Sequence, residues 1–335
     1  MRGNGRETLA NHWRPRVFED IVGEEITVEI LKRQIENKTF RNCYLFCGQK
    51  GCGKTSVARI FANTINQGQG SPIEIDCATN NGVDGIRQLN IEAQQTSLES
   101  EYKVIILDEA QCLTNVAWSS ALKLIEEPPL NTIFIFCTTN PEKIPDTILS
   151  RVQRFDFTRV ETSLIVERLG YILKQEEKKY DIESLNKIAI LSNGSLRDAL
   201  TILDKCLSYS DDVVVENINK VLGITNNTLL FTLTKNIINK DYENSIRIIE
   251  EIKKQTTNGT LIIDDWIQFL IEGTKIQKTK SIKYSNISEE YFDYFSKIET
   301  NLMTLIDKIL KYRVLTDKID NYTLLNIILI ELCQV

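Results

Sequence analysis

A chain of 335 residues, 42% hydrophobic and 26% charged, is long enough for two or three domains, each with its own core. Its formal net charge is −6 and neither half is basic, which excludes whole-molecule attraction to nucleic acid and confines any such contact to a local patch. The Met1–Arg6 start carries no apolar targeting core, and no stretch approaches the uninterrupted apolar length of a membrane span, so a soluble cytoplasmic protein is expected.

The first strong signal is Gly48-Gln49-Lys50-Gly51-Cys52-Gly53-Lys54-Thr55. An apolar run, Cys43–Cys47, precedes it, and a helical stretch from Ser56 to Ala62 follows, the strand–loop–helix context of a phosphate-binding loop. Gly48, Gly51 and Gly53, with Cys52 among them, let backbone N–H groups converge on phosphate oxygens. Lys54 is expected to reach the β- and γ-phosphates of ATP, and the Thr55 hydroxyl, next to Ser56, to ligate Mg²⁺. The alternative, an ordinary glycine turn, explains neither the flanking strand nor the helix.

Further apolar runs at Ile73–Ile75, Val104–Leu107 and Ile133–Cys137 alternate with helical segments, as in a parallel sheet covered on both faces, and Arg154–Phe157 could add a fifth strand. Val104–Leu107 ends in Asp108-Glu109, two carboxylates at a strand's carboxyl end. Asp108 is expected to hold Mg²⁺, directly or through water, and Glu109 to orient the attacking water. The run Ile133–Cys137 ends in Thr138-Thr139-Asn140-Pro141, which reads equally as a γ-phosphate contact or a turn cap. Arg151 and Arg197 could neutralise phosphoryl charge, although from composition each reads more readily as a surface ion pair.

Beyond Val160, strand-like runs give way to i, i+3, i+4 apolar spacing (Leu164, Leu169, Ile172, Leu173). Asn193-Gly194 reads as a helix stop and Ser195 as the cap of a helix over Leu196–Leu207. A break near Gly223–Asn227 precedes long amphipathic helices, including Tyr291–Tyr312 and Asn321 onward, and proline is absent after Pro145. The eight cysteines form no C-x-x-C pair and the sole histidine is His12, so no zinc site is expected. They read as small core residues in a reducing compartment, with reactivity left open for Cys52.

Taken together, these elements resemble the gamma/tau subunit of the bacterial DNA polymerase III clamp loader, an AAA+ ATPase. The resemblance runs through Trp13-Arg14-Pro15-Arg16-Val17-Phe18-Glu19-Asp20-Ile21-Val22-Gly23, Glu74–Arg87, Leu122–Pro129, Lys143-Ile144-Pro145, Thr147–Arg151 and Gly194–Leu200, covering roughly residues 10–222. It implies an α/β AAA+ domain with a five-stranded parallel sheet and flanking helices (1–160), a helical lid (161–222) and an all-α collar (223–335). It further implies that the opening segment, with Arg14 and Val22, folds over the adenine. Thr139 and Arg197 would read the γ-phosphate in their own subunit, and Arg151 would act in trans on a neighbour's ATP. The expected partners are other clamp-loader subunits in a pentamer, a sliding clamp and primer–template DNA; Arg87 and Lys123 are candidate DNA contacts, although each reads more readily as part of an ordinary solvated face.

Three departures stand out. The interval Asn66–Pro72 holds no cysteine where the family usually carries a zinc module, Val152 replaces the cysteine after the Ser150-Arg151 pair, and no long extension follows the collar. They suggest a pared-down, divergent loader. Two other functions stay open: an ATP-binding scaffold subunit with little turnover, and a related AAA+ DNA motor such as a branch-migration ATPase.

Overall fold

The computed structural model describes residues 7–95, 100–255, 259–285, 287–316 and 319–333. The chain divides into two compact units, Met1–Val213 and Val214–Val335.

The first unit is built on five strands, β1 (Cys43–Gly48), β2 (Ile73–Asp76), β3 (Lys103–Asp108), β4 (Thr132–Thr138) and β5 (Gln153–Phe157). All pair in parallel, in the order β2-β3-β4-β1-β5. The central strands read as unbroken apolar runs because helices cover both faces of the sheet. On one face Leu45, Ile105, Leu107 and Phe136 meet Trp118 and Ala121 of the helix Asn115–Glu126. On the other, Tyr44, Phe46, Ile106 and Ile135 meet Val57 and Phe61 of the helix Lys54–Ile65. Tyr44 and Phe61 pack edge to face with centroids 5.2 Å apart. Burying a ring such as Phe46 or Phe61 contributes about 1.5–3 kcal/mol, so the sheet is a rigid platform for the loops at its carboxyl end. The edge strand β2 alternates between half-buried Ile73 and Ile75 and exposed Glu74 and Asp76.

After β5 the chain forms the helices Thr162–Gln175, Ile182–Leu191 and Leu196–Tyr209. Their starts are fixed by sequence: the Asp181 carboxylate accepts from Ser184 N–H at 2.6 Å, and Ser195 Oγ accepts from Asp198 N–H at 3.2 Å. Gly194, at φ +79°, supplies the left-handed turn between the last two helices.

The second unit is helical, from Val215–Leu222 to Asn321–Cys333, around Leu233, Trp266, Leu270, Phe295, Ile309 and Ile328. Gly223, at φ +66°, ends its first helix, and Asn226 caps the next by accepting from Thr228 N–H at 2.8 Å. The expected helix Tyr291–Tyr312 is two helices, Phe292–Lys297 and Leu302–Arg313. Ile298 is extended and Asn301 starts a new helix by accepting from Met303 N–H at 3.1 Å. Gln277 Nε2 donates to the Ile298 and Thr300 carbonyls at 3.1 and 2.8 Å, satisfying backbone groups the break releases. Among the described residues no helix is long and apolar enough to cross a membrane.

Candidate functional site

The carboxyl ends of β1, β3 and β4 converge, because β1 lies beside β4 and β4 beside β3. Ligands of open α/β sheets sit at such an edge. The β1 loop turns through Gly48, Gly51 and Gly53 at φ +154°, +79° and +103°, a backbone that side-chain-bearing residues rarely adopt. At Gly51 a Cβ would stand 2.1 Å from Ser195 Oγ, so any side chain there would force the Ser195 hydroxyl to turn away.

Lys54 opens the following helix and is 6% exposed. Its Nζ donates to the Gly48 and Gln49 carbonyls at 2.9 and 2.8 Å, so the ammonium is held inside the loop's own curve. Thr55 Oγ1 donates to Asp108 Oδ2 at 2.9 Å, which joins the loop to the end of β3. A hydroxyl and a carboxylate at this separation, beside a glycine cradle and a buried ammonium, are a donor set that fits Mg²⁺ and a triphosphate. Cys52 is buried, its Sγ donating to the Gln49 carbonyl at 2.9 Å, and burial pushes its thiol pKa up despite the neighbouring Lys54 charge. That environment disfavours the thiolate, so Cys52 is a packing residue and the reactive alternative is not supported.

Glu109 follows Asp108 with a left-handed backbone, φ 51° and ψ 43°. Non-glycine residues hold such conformations at a cost of about 1–3 kcal/mol, and they cluster where a side chain must be aimed. Glu109 Oε2 accepts from Thr139 Oγ1 at 3.4 Å and from Gln111 Nε2 at 2.5 Å. Gln111 was not singled out from sequence. It lies in a single 3₁₀ turn, Ala110–Cys112, too short to show a periodicity, and its spacing from Glu109 carries no motif.

A cavity of about 140 Å³ opens beside the loop, lined by Arg14, Val22, Gly51, Lys54, Thr55 and Arg197 among others. Trp13 and Pro15 also line it, so the opening segment and the helix Leu196–Tyr209 both border the phosphate loop. Arg14 Nε donates to Ser56 Oγ at 3.3 Å, and burial, reinforced by the nearby Arg59 charge, lowers its pKa from the usual arginine value. Trp13 Nε1 donates to Glu176 Oε1 at 2.9 Å, and its ring meets Tyr171 edge-on at 6.0 Å.

Arg151 does not line this cavity. It is about two-fifths exposed, with Nη2 2.8 Å from Glu126 Oε1 and Nη1 donating to the Thr147 carbonyl at 2.7 Å. Lys123 is exposed on the helix Asn115–Glu126, and the Arg87 side chain lies outside the described residues.

This sheet order, with its phosphate loop and paired carboxylates, is that of an AAA+ ATPase domain carrying a helical lid and an all-α C-terminal region. The fold superposes on the Thermotoga maritima RuvB Holliday junction branch migration motor with TM-score 0.54 at 16% identity, covering 66% of this chain and 79% of that one. A family model described as DNA polymerase III, delta subunit, matches residues 73–161. Another, the ATPase lid domain of a DNA polymerase III clamp loader subunit, matches residues 164–212. The DNA polymerase III subunit gamma of Buchnera aphidicola subsp. Baizongia pistaciae is 30% identical over 323 residues, 90% of this chain and 85% of that protein. The tau subunit of Bacillus subtilis (strain 168) is 36% identical over 283 residues, 78% of this chain and 50% of that protein. The gamma/tau subunit of Mycoplasma genitalium is 33% identical over 301 residues, 83% of this chain and 50% of that protein. The chain belongs to the DNA polymerase III gamma/tau family and spans about half the length of the Bacillus and Mycoplasma relatives it matches.

Proposed function

We propose that this chain is the ATP-hydrolysing motor subunit of a clamp loader that places a sliding clamp on primed DNA. The observation that carries the reading is the Thr55–Asp108 contact at 2.9 Å beside the buried Lys54, in a chain of the gamma/tau family. In this reading Lys54 exchanges its two loop carbonyls for phosphate oxygens, and the glycine-loop N–H groups hold the rest of the triphosphate. Thr55 and Asp108 would hold Mg²⁺, which would supply positive charge against the triphosphate. Glu109 accepts a hydrogen bond from the attacking water and fixes its approach. Thr139 and Arg197 contact the terminal phosphate from the same subunit, while Arg14 and Val22 face the base. The trans role of Arg151 is supported by its position off the cavity lining and by its partial exposure.

The domain division belongs to the same reading: an ATPase module over 1–160, a lid over 161–222 and a collar over 223–335. The helix Val215–Leu222 groups by its contacts with the C-terminal unit. Other loader subunits, a clamp and primer–template DNA are the proposed partners.

The test is ATP turnover by the chain with its co-purifying partners, with and without clamp and primed DNA. Strong joint stimulation by clamp and primed DNA is expected. Turnover near zero under all conditions would instead identify a scaffold subunit, and stimulation by junction DNA without any clamp would identify a branch-migration motor.

A further inference from the structure

Gln111 lies in the turn Ala110–Cys112 that follows Glu109, and the fully buried Ala110 anchors that turn. Its amide makes four contacts. Nε2 donates to Glu109 Oε2 at 2.5 Å and to Thr139 Oγ1 at 3.0 Å. Oε1 accepts from Thr138 Oγ1 at 2.7 Å and from Thr139 N–H at 3.3 Å. A primary amide offers two donor hydrogens and two acceptor lone pairs, so this side chain is fully used.

The amide orientation follows from chemistry. The Thr139 backbone N–H can only donate, and Thr138 Oγ1 already accepts from Asn140 N–H at 3.1 Å, which directs the Thr138 hydroxyl proton to Gln111. The carbonyl oxygen of Gln111 therefore faces the end of β4, and its NH₂ faces the carboxylate. The reverse orientation would set an amide donor against a backbone donor and a carbonyl against Glu109.

We infer that Gln111 is a positioning residue that couples the end of β4 to Glu109, so that a shift at Thr139 changes where the Glu109 carboxylate points. The inference rests on the ATPase reading above, in which Thr139 meets the terminal phosphate and Glu109 the water. Glu109 has a long side chain, and the contacts described for its carboxylate come from Gln111 and Thr139. Removing Gln111 leaves Thr139 as a single contact at 3.4 Å, too weak to hold one rotamer. A misplacement of about 1 Å at a reacting group costs on the order of 10²-fold in rate.

The test compares wild type, Q111L, Q111E and E109Q as full chains in the complex with which they co-purify. Q111L removes all four contacts. Q111E is isosteric and keeps both acceptor contacts to β4, but it cannot donate to Glu109, so it remains informative if Q111L folds poorly. Both are expected to lower kcat about 10²-fold and to leave KM for Mg·ATP within about twofold. Adding Thr138→Val to Q111L is expected to lower kcat by less than about twofold more, because both changes cut one linkage. Wild-type kcat in Q111E, or a loss carried entirely by KM, overturns the coupling. E109Q separates the two levels. An inactive E109Q beside a fully active Q111E overturns the coupling alone, a fully active E109Q removes Glu109 from the attacking water and the coupling with it, and absence of turnover in the wild type removes the ATPase reading itself.

Discussion

Replacing Gly51 by alanine probes whether the phosphate loop and the helix Leu196–Tyr209 are in obligatory contact. At φ +79° an L-residue costs about 1–2 kcal/mol over glycine. The new methyl would stand 2.1 Å from Ser195 Oγ and 3.1 Å from Ser195 Cβ. Rotating the hydroxyl away relieves the first clash but abandons the cap on Asp198 N–H, worth about 1 kcal/mol. Against this, alanine lowers the entropy of the unfolded chain, returning about 0.4–1 kcal/mol. The net loss is about 2 kcal/mol, which for a unit of this size lowers Tm by roughly 4–8 °C. Displacing the loop should also weaken Mg·ATP binding at least about tenfold. Thermal melts and equilibrium titration with ATP read both effects. In a Ser195→Gly background the clash is absent and the glycine cap costs only a few tenths of a kcal/mol, so Gly51→Ala should then cost about 1 kcal/mol. An equal penalty in both backgrounds, or a G51A melt within about one degree of wild type, would refute the contact argument.

Lys54→Ala should weaken Mg·ATP binding more than about 10²-fold while leaving the secondary structure intact, checked by titration and circular dichroism; undiminished binding would remove Lys54 from the site. Arg151→Ala should preserve binding but cut assembled turnover about 10³-fold, the scale of an arginine finger, with full ring activity counting against a trans role. Because Arg151 and Glu126 are both about two-fifths exposed, losing their ion pair should cost less than about 1 kcal/mol, so the R151A melt should stay close to wild type. Glu24 is 6% exposed, and burial raises its pKa despite hydrogen bonds from Thr158 N–H and Thr27 Oγ1. The folded chain therefore holds this proton more tightly than the unfolded one, and wild-type stability falls as pH rises from the ordinary glutamate value through the raised one. Urea midpoints of Glu24→Gln should thus gain on wild type with rising pH; a constant difference between about pH 4 and 8 would contradict the assignment.

The sheet was legible because four of its strands announce themselves by composition. Cys43–Cys47 and Ile133–Cys137 are apolar throughout, and only a strand buried on both faces tolerates that in so short a run. The glycine loop between β1 and the helix Lys54–Ile65 was equally readable, since its residues are contiguous and the glycines have a backbone reason to be there. The linkage through Gln111 was not. It joins residues far apart in sequence through side-chain hydrogen bonds, and a glutamine in a turn has no pattern to betray it. The broken helix after Tyr291 was missed for a related reason. Glu299-Thr300-Asn301 continues a helical pattern in isolation, and what ends the helix is Asn301 capping the next one while Gln277 satisfies the freed carbonyls.

Trp13 touches two things at once. Its ring borders the cavity beside the glycine loop, while its indole N–H and ring edge hold Glu176 and Tyr171 at the far end of the helix Thr162–Gln175. The other two tryptophans, Trp118 and Trp266, are 2% and 1% exposed within their respective cores. The protein thus carries an intrinsic optical reporter, in which the emission colour of one half-buried indole follows its surroundings at the cavity rim while two fully buried indoles add a constant background.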